Sequence, residues 1–174
     1  MNEAAPTSPP GPLTPAGPVT PIVHGMAPDD RDRLGGFVLD LELRRLPAGE
    51  DELVFDLDCM PYRSNSSGFL HGGMMATLVD CTAGLLAYEG VDDESMTTTT
   101  NLSVNYLAPV RRGPARATAR ILRRGRKIVV VQVDVHDADS GVLCSASTVT
   151  YAVVRRLPGA GGDIPRTPPA SPAD

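Results

Sequence analysis

The chain has no tryptophan, and aromatic residues make up only 4% of its 174 residues. A protein that binds nucleic acid by stacking its bases needs exposed aromatic rings, so this mode of binding is disfavoured. The formal net charge of −5 also argues against a generally basic nucleic-acid binder. We therefore expect no nucleic-acid partner.

Cysteine and long apolar runs are scarce as well. The three cysteines are odd in number, far apart, and lack a Cys-x-x-Cys or Cys/His spacing for zinc, which predicts reduced thiols in a cytoplasm and no metal. No basic start followed by an apolar run marks a secretory signal. The longest weakly charged stretch, residues 64–88, contains His71 and Asp80, so we expect no membrane span.

Proline is abundant but is concentrated at the two ends. Of the 17 prolines, eight lie in residues 1–28 and five in residues 158–172. Such segments bury too little apolar surface to offset chain entropy. The sequence therefore predicts disordered tails at residues 1–32 and 158–174 and a single domain at residues 33–157.

The periodicity of the central part predicts an α+β fold. Apolar residues alternate with polar ones over 37–43 and 53–57, which indicates strands. Residues 72–88 lack this alternation, are apolar nearly all round, and are long enough for a buried helix. Gly84 inside that helix indicates close packing against a neighbour. Further strands are predicted at 101–106, 115–121, 128–135 and 142–154, so one long helix should be wrapped by a curved antiparallel sheet of about five to six strands.

Asp80 is the only charged residue in this apolar helix. An isolated carboxylate there costs several kcal/mol unless it has partners or takes up a proton. It is therefore either a structural hydrogen-bonding group or a functional acid or base.

Two glycines, Gly72 and Gly73, open the same helix. The first N–H groups of a helix are unpaired and lie at the positive end of its dipole, so they suit a developing oxyanion. The alternative is that the glycines only permit a tight turn into the helix. His71, just before them, is either a capping residue or a functional one.

Together these residues resemble a known signature. The segment NSSGFLHGGMMATLVDCTAG is similar to that of the hotdog-fold thioesterases, in the PaaI-like branch of the 4-hydroxybenzoyl-CoA thioesterase superfamily. TTTTNLSVNYLAPVRRG resembles the strand after the helix in that family, and RRGRKIVVVQVDVHDADSGVLCSAS resembles its closing hairpin. The resemblance covers about residues 35–154, the whole predicted domain.

The resemblance implies roles for individual residues. Asp80 matches a catalytic carboxylate that acts as nucleophile or as general base. Gly72 matches the backbone N–H that polarises the thioester carbonyl, and Asn65 matches an amide that helps to hold it. The resemblance also places His71 among the catalytic residues and Gly73 among those that bind the substrate, and Thr99 matches a hydroxyl that positions water. The family also implies a homodimer or homotetramer with sites at the shared interface, an acyl-CoA substrate, and no cofactor.

A cationic segment follows in the predicted hairpin, where Arg123, Arg124, Arg126 and Lys127 surround Gly125. These cations either clamp the phosphates of coenzyme A or form a solvated hairpin tip.

Three functions fit the sequence. The leading one is hydrolysis of an aromatic or medium/long-chain acyl-CoA to the free acid and CoA. A hotdog domain that binds acyl-CoA without turnover is the second. A thioesterase that acts on an acyl group attached to a carrier protein is the third.

Overall fold

The computed structural model describes residues 20–21, 38, 41–111 and 113–156. The tails predicted at residues 1–32 and 158–174 lie outside the described residues, except for a two-residue strand at Thr20–Pro21. Arg112 also lies outside them.

The described elements are seven strands, one short 3₁₀ helix and one long α-helix. In chain order they are β1 (Thr20–Pro21), β2 (Arg44–Leu46), β3 (Glu52–Leu57), the 3₁₀ helix Pro61–Arg63, α1 (Gly72–Glu89), β4 (Ser95–Tyr106), β5 (Ala115–Arg124), β6 (Ile128–Asp137) and β7 (Leu143–Arg155).

The strands form one antiparallel sheet in the order β1-β2-β3-β5-β6-β7-β4. β4 is the last strand of the sheet and pairs with β7 from Ser95–Arg155 to Tyr106–Ser145. The other side of β4 has no strand beside it in the described sheet, so its backbone N–H and C=O groups are available for pairing with another chain.

One face of the sheet packs on α1. The buried residues of α1 recur with helical spacing: Met75, Leu78, Val79, Thr82, Ala83, Leu86 and Ala87. They join inward-facing strand residues such as Phe55, Val131 and Val149 in one hydrophobic core. The six strands of three or more residues agree with the predicted five to six, and the predicted α+β hotdog fold is confirmed.

The helix is not buried on all sides in the single chain. Gly73 is exposed, and Thr77, Asp80, Gly84 and Tyr88 are half-buried on the side away from the core. The apolar composition of residues 72–88 predicted that every face of the helix would be buried. Small residues on one face leave that face only partly covered in the single chain. No helix in the described part of the chain is both long and apolar enough to cross a membrane.

The strand predicted at residues 37–43 is wrong over the residues that the structure describes; residues 37, 39 and 40 lie outside them. Residues 41–42 form a turn, with Glu42 in the left-handed region at φ 53°, and the strand begins only at Arg44. Leu41 and Leu43 are nevertheless buried. The alternating pattern therefore reflects leucines that are buried although they lie in or beside a turn. Burial of alternate residues does not by itself require a strand.

Candidate active site

Asp80 lies midway along α1 on its half-buried face. Its Oδ1 accepts hydrogen bonds from the hydroxyls of Thr99 and Tyr151, both at 3.0 Å. The Tyr151 hydroxyl also lies 2.8 Å from the backbone oxygen of Asp80. Among the described residues, no donor reaches Oδ2. We call Asp80, Thr99 and Tyr151 the carboxylate cluster. Oδ1 of Asp80 accepts two hydrogen bonds within it, and Oδ2 is open to a ligand.

The sheet brings the two hydroxyls together. Thr99 on β4 pairs directly with Tyr151 on β7, and the register shifts between Thr99 and Asn101. Next in the chain, Thr100 donates instead to the carbonyl of Thr150 at 3.0 Å. Of the four consecutive threonines, Thr99 is therefore the one whose hydroxyl reaches Asp80.

Gly84 makes room for the tyrosine ring. A Cβ atom at this position would lie 3.3 Å from the Tyr151 hydroxyl and 3.6 Å from Cε1. The close packing that Gly84 predicted is therefore confirmed, and the neighbour is Tyr151.

Two other ionisable groups of this region stay protonated near neutral pH. Burial and, secondarily, the charge of Asp80 raise the pKa of the Tyr151 phenol well above its usual range. The same two causes raise the pKa of the Cys81 thiol to about 12. Neither group can therefore serve as a base there, which leaves the Asp80 carboxylate as the candidate base or nucleophile.

A second group of residues lies on the loop that enters α1. We call residues 64–73 the donor loop. Asn65 organises it, because its Oδ1 accepts the N–H groups of Ser67 (2.9 Å) and Phe69 (3.2 Å). These two backbone donors fix the orientation of the side-chain amide. Its Nδ2 then has no acceptor among the described residues and can donate to a ligand.

The donor loop ends at the first turn of α1. His71 is the N-cap residue, and its Nδ1 accepts the N–H of Gly73 at 2.9 Å. A Cβ at Gly73 would lie 3.1 Å from that nitrogen, so glycine lets the cap close tightly. In residues 41–111 and 113–156, nothing accepts the N–H of Gly72. Tyr106 donates to the Gly72 carbonyl at 2.9 Å, which fixes the next peptide group, between Gly72 and Gly73.

His71 therefore has the capping role that the sequence left open. Its cap occupies the N–H of Gly73, so Gly73 has no free N–H to offer a ligand. The unpaired donors on this loop are the N–H of Gly72 and the amide of Asn65. Both are suited to a developing negative charge on a carbonyl oxygen.

The cationic hairpin divides into two parts. Arg124 reaches back to the C-terminal end of α1, where its Nη1 and Nη2 donate to the carbonyls of Ala87 (3.1 Å) and Leu86 (3.3 Å). This is a capping position for a cation. Its donors are thus occupied within the fold.

The other cations of the hairpin point into solvent. Arg123, Arg126 and Lys127 are exposed, and Gly125 closes the turn through its N–H to Ile128 at 2.9 Å. No ion pair involves any of the three in the described part of the chain, so their role as phosphate ligands stays a prediction.

The two clusters lie apart on one helix. Gly72 and Asp80 are eight residues apart, or about 12 Å along the axis at 1.5 Å per residue. The structure thus joins Thr99 to Asp80, and it joins Asn65, His71, Gly72 and Gly73 in the donor loop. It does not bring the two groups to one point within a chain.

Sequence reasoning missed two residues of these clusters, Tyr151 and Tyr106. Each lies in an alternating strand segment, and that pattern indicates only which face a side chain is on. Nothing local distinguishes a tyrosine that donates to a distant helix from one that fills the core.

Comparison with known proteins places these features in a family. The model described as the thioesterase superfamily matches residues 67–144. The medium/long-chain acyl-CoA thioesterase YigI from Salmonella typhimurium is 32% identical over 128 residues, which cover 66% of this chain and 82% of that protein.

Two crystal structures are also similar. A thioesterase from Haemophilus influenzae superposes with a TM-score of 0.67 at 24% identity, covering 75% of this chain and 92% of that one. This likeness supports the fold. The BH2602 protein from Bacillus halodurans, crystallised with CoA, gives a TM-score of 0.55 at 26% identity, covering 63% of this chain and 71% of that one.

Proposed function

The chain belongs to the thioesterase superfamily, and on that premise we propose that it hydrolyses acyl-CoA to a free carboxylic acid and CoA. The observation that carries this proposal is that the chain has a carboxylate with one open oxygen on α1 and two unpaired N–H donors, one at the N-terminus of α1 and one on the loop before it. Thioester hydrolysis needs these groups and one water molecule, because the thiolate leaves readily.

In the proposed reaction the thioester carbonyl oxygen accepts from the Gly72 N–H and the Asn65 amide. Asp80 acts either as a general base that takes a proton from the attacking water or as the nucleophile. In the first case, the water oxygen bonds to the carbonyl carbon, the C–S bond breaks, and the proton passes to the thiolate. In the second, an Asp80 oxygen bonds to the carbonyl carbon and the C–S bond breaks, which releases the CoA thiolate and leaves a mixed anhydride. Water then hydrolyses the anhydride to the free acid and the Asp80 carboxylate, and a proton from that water passes to the thiolate. Thr99, already on Oδ1, is placed to orient the water.

We further propose that each site is built from two chains. The oxyanion donor and the attacking group must both lie within about 3 Å of one carbonyl. The roughly 12 Å between Gly72 and Asp80 along α1 prevents this within one chain. An isologous dimer solves the problem, because it brings the donor loop of each chain to the carboxylate cluster of its partner. The open edge of β4 and the open face of α1 are the surfaces that such a dimer would cover.

The similarity to YigI supports a medium or long acyl chain, and the similarity to BH2602 supports CoA as the thiol. Three exposed cations, Arg123, Arg126 and Lys127, suit the phosphates of CoA. The helix end beside their hairpin is about 10 Å along α1 from Asp80, a gap that an extended pantetheine arm can span. The free thiols of Cys59, Cys81 and Cys144 support a reducing compartment such as the cytoplasm.

Release of free thiol tests this function. Acyl groups of aromatic, short, medium and long type should be offered both on CoA and on carrier protein. We expect turnover of medium and long acyl-CoA, with carrier-protein substrates slower. Preference for the carrier protein would contradict CoA as the thiol, and no release from any acyl-CoA would favour a domain that only binds it.

The hairpin cations give a sharper test. The double variant Arg126→Ala/Lys127→Ala should raise KM for acyl-CoA by roughly tenfold and weaken its salt dependence, because two charge-assisted phosphate contacts are lost. KM for an acyl-pantetheine thioester, which lacks the nucleotide, should not change.

The matched control is Arg155→Ala, which removes an exposed cation that pairs with Glu94 at 2.9 Å. It should leave both KM values unchanged. If the double variant affects the two substrates equally, the hairpin does not hold the nucleotide.

A further inference from the structure

The hydroxyl of Tyr151 is the one contact of the carboxylate cluster that comes from a buried side chain. Tyr151 is 2% exposed, on the inner face of β7. Its hydroxyl lies 3.0 Å from Asp80 Oδ1 and 2.8 Å from the Asp80 backbone oxygen. A single phenolic proton is therefore placed between the side chain and the main chain of the same residue.

This geometry fixes the carboxylate from two directions. Thr99 and Tyr151, a direct cross-strand pair, both approach Oδ1. The tyrosine ring is itself fixed by packing against Gly84, where a Cβ would lie 3.3 Å from the hydroxyl. The donor is thus rigid, and its position relative to α1 depends on packing at Gly84, four residues after Asp80.

Towards Asp80, the hydroxyl of Tyr151 acts as a donor. Burial raises the pKa of its phenol, and the negative charge of Asp80 raises it further, so the proton stays on the hydroxyl at neutral pH. A hydrogen bond donated to a carboxylate favours its ionised form. The reacting oxygen is then the one without a partner in the described structure, Oδ2.

We propose that Tyr151 is a positioning residue for Asp80, which holds Oδ1 from the sheet side and leaves Oδ2 as the oxygen that reacts. This inference rests on the proposed thioesterase function. It adds a residue that acts through Asp80 and need not touch the substrate. Its loss should lower turnover, disturb the orientation of the Asp80 carboxylate and leave substrate affinity nearly intact.

The test is the variant Tyr151→Phe, which keeps the ring against Gly84 and removes only the hydroxyl. We expect kcat to fall on the order of tenfold with KM changed less than twofold. A crystal structure of the variant should show the Asp80 carboxylate turned from its wild-type orientation or in more than one orientation, because Oδ1 has lost one of its two donors. A purely structural role would lower the melting temperature without turning the carboxylate.

Tyr62→Phe is the matched control. Tyr62 is 71% exposed, and its hydroxyl has no hydrogen-bond partner in the described part of the chain. Removing it should leave kcat, KM and the orientation of the Asp80 carboxylate unchanged. An unchanged kcat and an unmoved Asp80 carboxylate in Tyr151→Phe would overturn the proposal.

Gly84→Ala keeps the test valid if Tyr151→Phe does not fold. Alanine is the better helix former, but its Cβ must displace the Tyr151 hydroxyl by a few tenths of an ångström. We expect a stable protein in which kcat falls by less than in Tyr151→Phe and KM is again nearly unchanged. Wild-type kinetics in this variant would also overturn the proposal.

A readout without turnover separates this inference from the function. The orientation of the Asp80 carboxylate in crystal structures of wild type and Tyr151→Phe can be compared whether or not either protein is active. If wild type releases no thiol, the proposed function fails, whereas an unmoved carboxylate would overturn the role of Tyr151 itself.

Discussion

Replacing Asp80 with asparagine should lower kcat by on the order of 10²-fold or more. Asparagine has the same size, and its Oδ1 can still accept from Thr99 and Tyr151. These two donors orient the new side chain, so the amide nitrogen takes the place of Oδ2. The variant therefore replaces the reacting oxygen with a group that is neither base nor nucleophile, and steady-state thiol release measures the loss.

A carboxylate elsewhere on the same helix provides the control. Glu89 is exposed at the end of α1 and pairs with Arg45 at 2.7 Å. Glu89→Gln should leave kcat within about twofold, because an exposed ion pair contributes little. Near-normal turnover of a pure, correctly assembled Asp80→Asn protein would contradict a catalytic role for Asp80.

Replacing Gly72 with proline should lower kcat by about 10²- to 10³-fold, the usual effect of losing one oxyanion donor. Gly72 is the first residue of α1, a position where proline is well accepted and where only the N–H is lost. The preceding His71, at φ −63° and ψ 136°, already has the backbone conformation that a following proline requires. The fold should therefore persist while the donor disappears.

Gly72→Ala separates the donor from the space around it. A Cβ here would lie 3.5 Å from the Tyr106 ring, an ordinary contact, and the N–H remains. We expect this variant to keep most of its activity. Equal losses in the alanine and proline variants would instead attribute the effect to crowding against Tyr106 and contradict the donor role.

Local patterns predicted the parts of the molecule that depend on neighbours in sequence. The apolar run at 72–88 predicted α1 to within one residue, and Gly84 predicted a close contact because glycine inside a helix has a cost. The alternation over 37–43 failed because leucines reach the core from a turn at Glu42. The PaaI-like branch stays a prediction.

Contacts between distant residues could not be predicted in this way. Tyr151 meets Asp80 across 71 positions of sequence, and Arg124 meets Ala87 across 37. Strand periodicity gives the face of each side chain but not its partner on another element. For this reason the sequence predicts a single role for the cationic hairpin, whereas in the fold Arg124 caps α1 and its cationic neighbours are exposed.

The most direct test of the two-chain site is to combine the variants Asp80→Asn and Gly72→Pro in one assembly. The two chains are co-expressed with different tags and purified through both. If Gly72 of one chain serves Asp80 of the other, each mixed pair has one doubly damaged site and one intact site, and about half of the wild-type activity returns. If every site lies within a single chain, both sites of each pair carry one lesion and activity stays at the level of the separate variants. That result, or failure to recover any mixed assembly, would contradict the account.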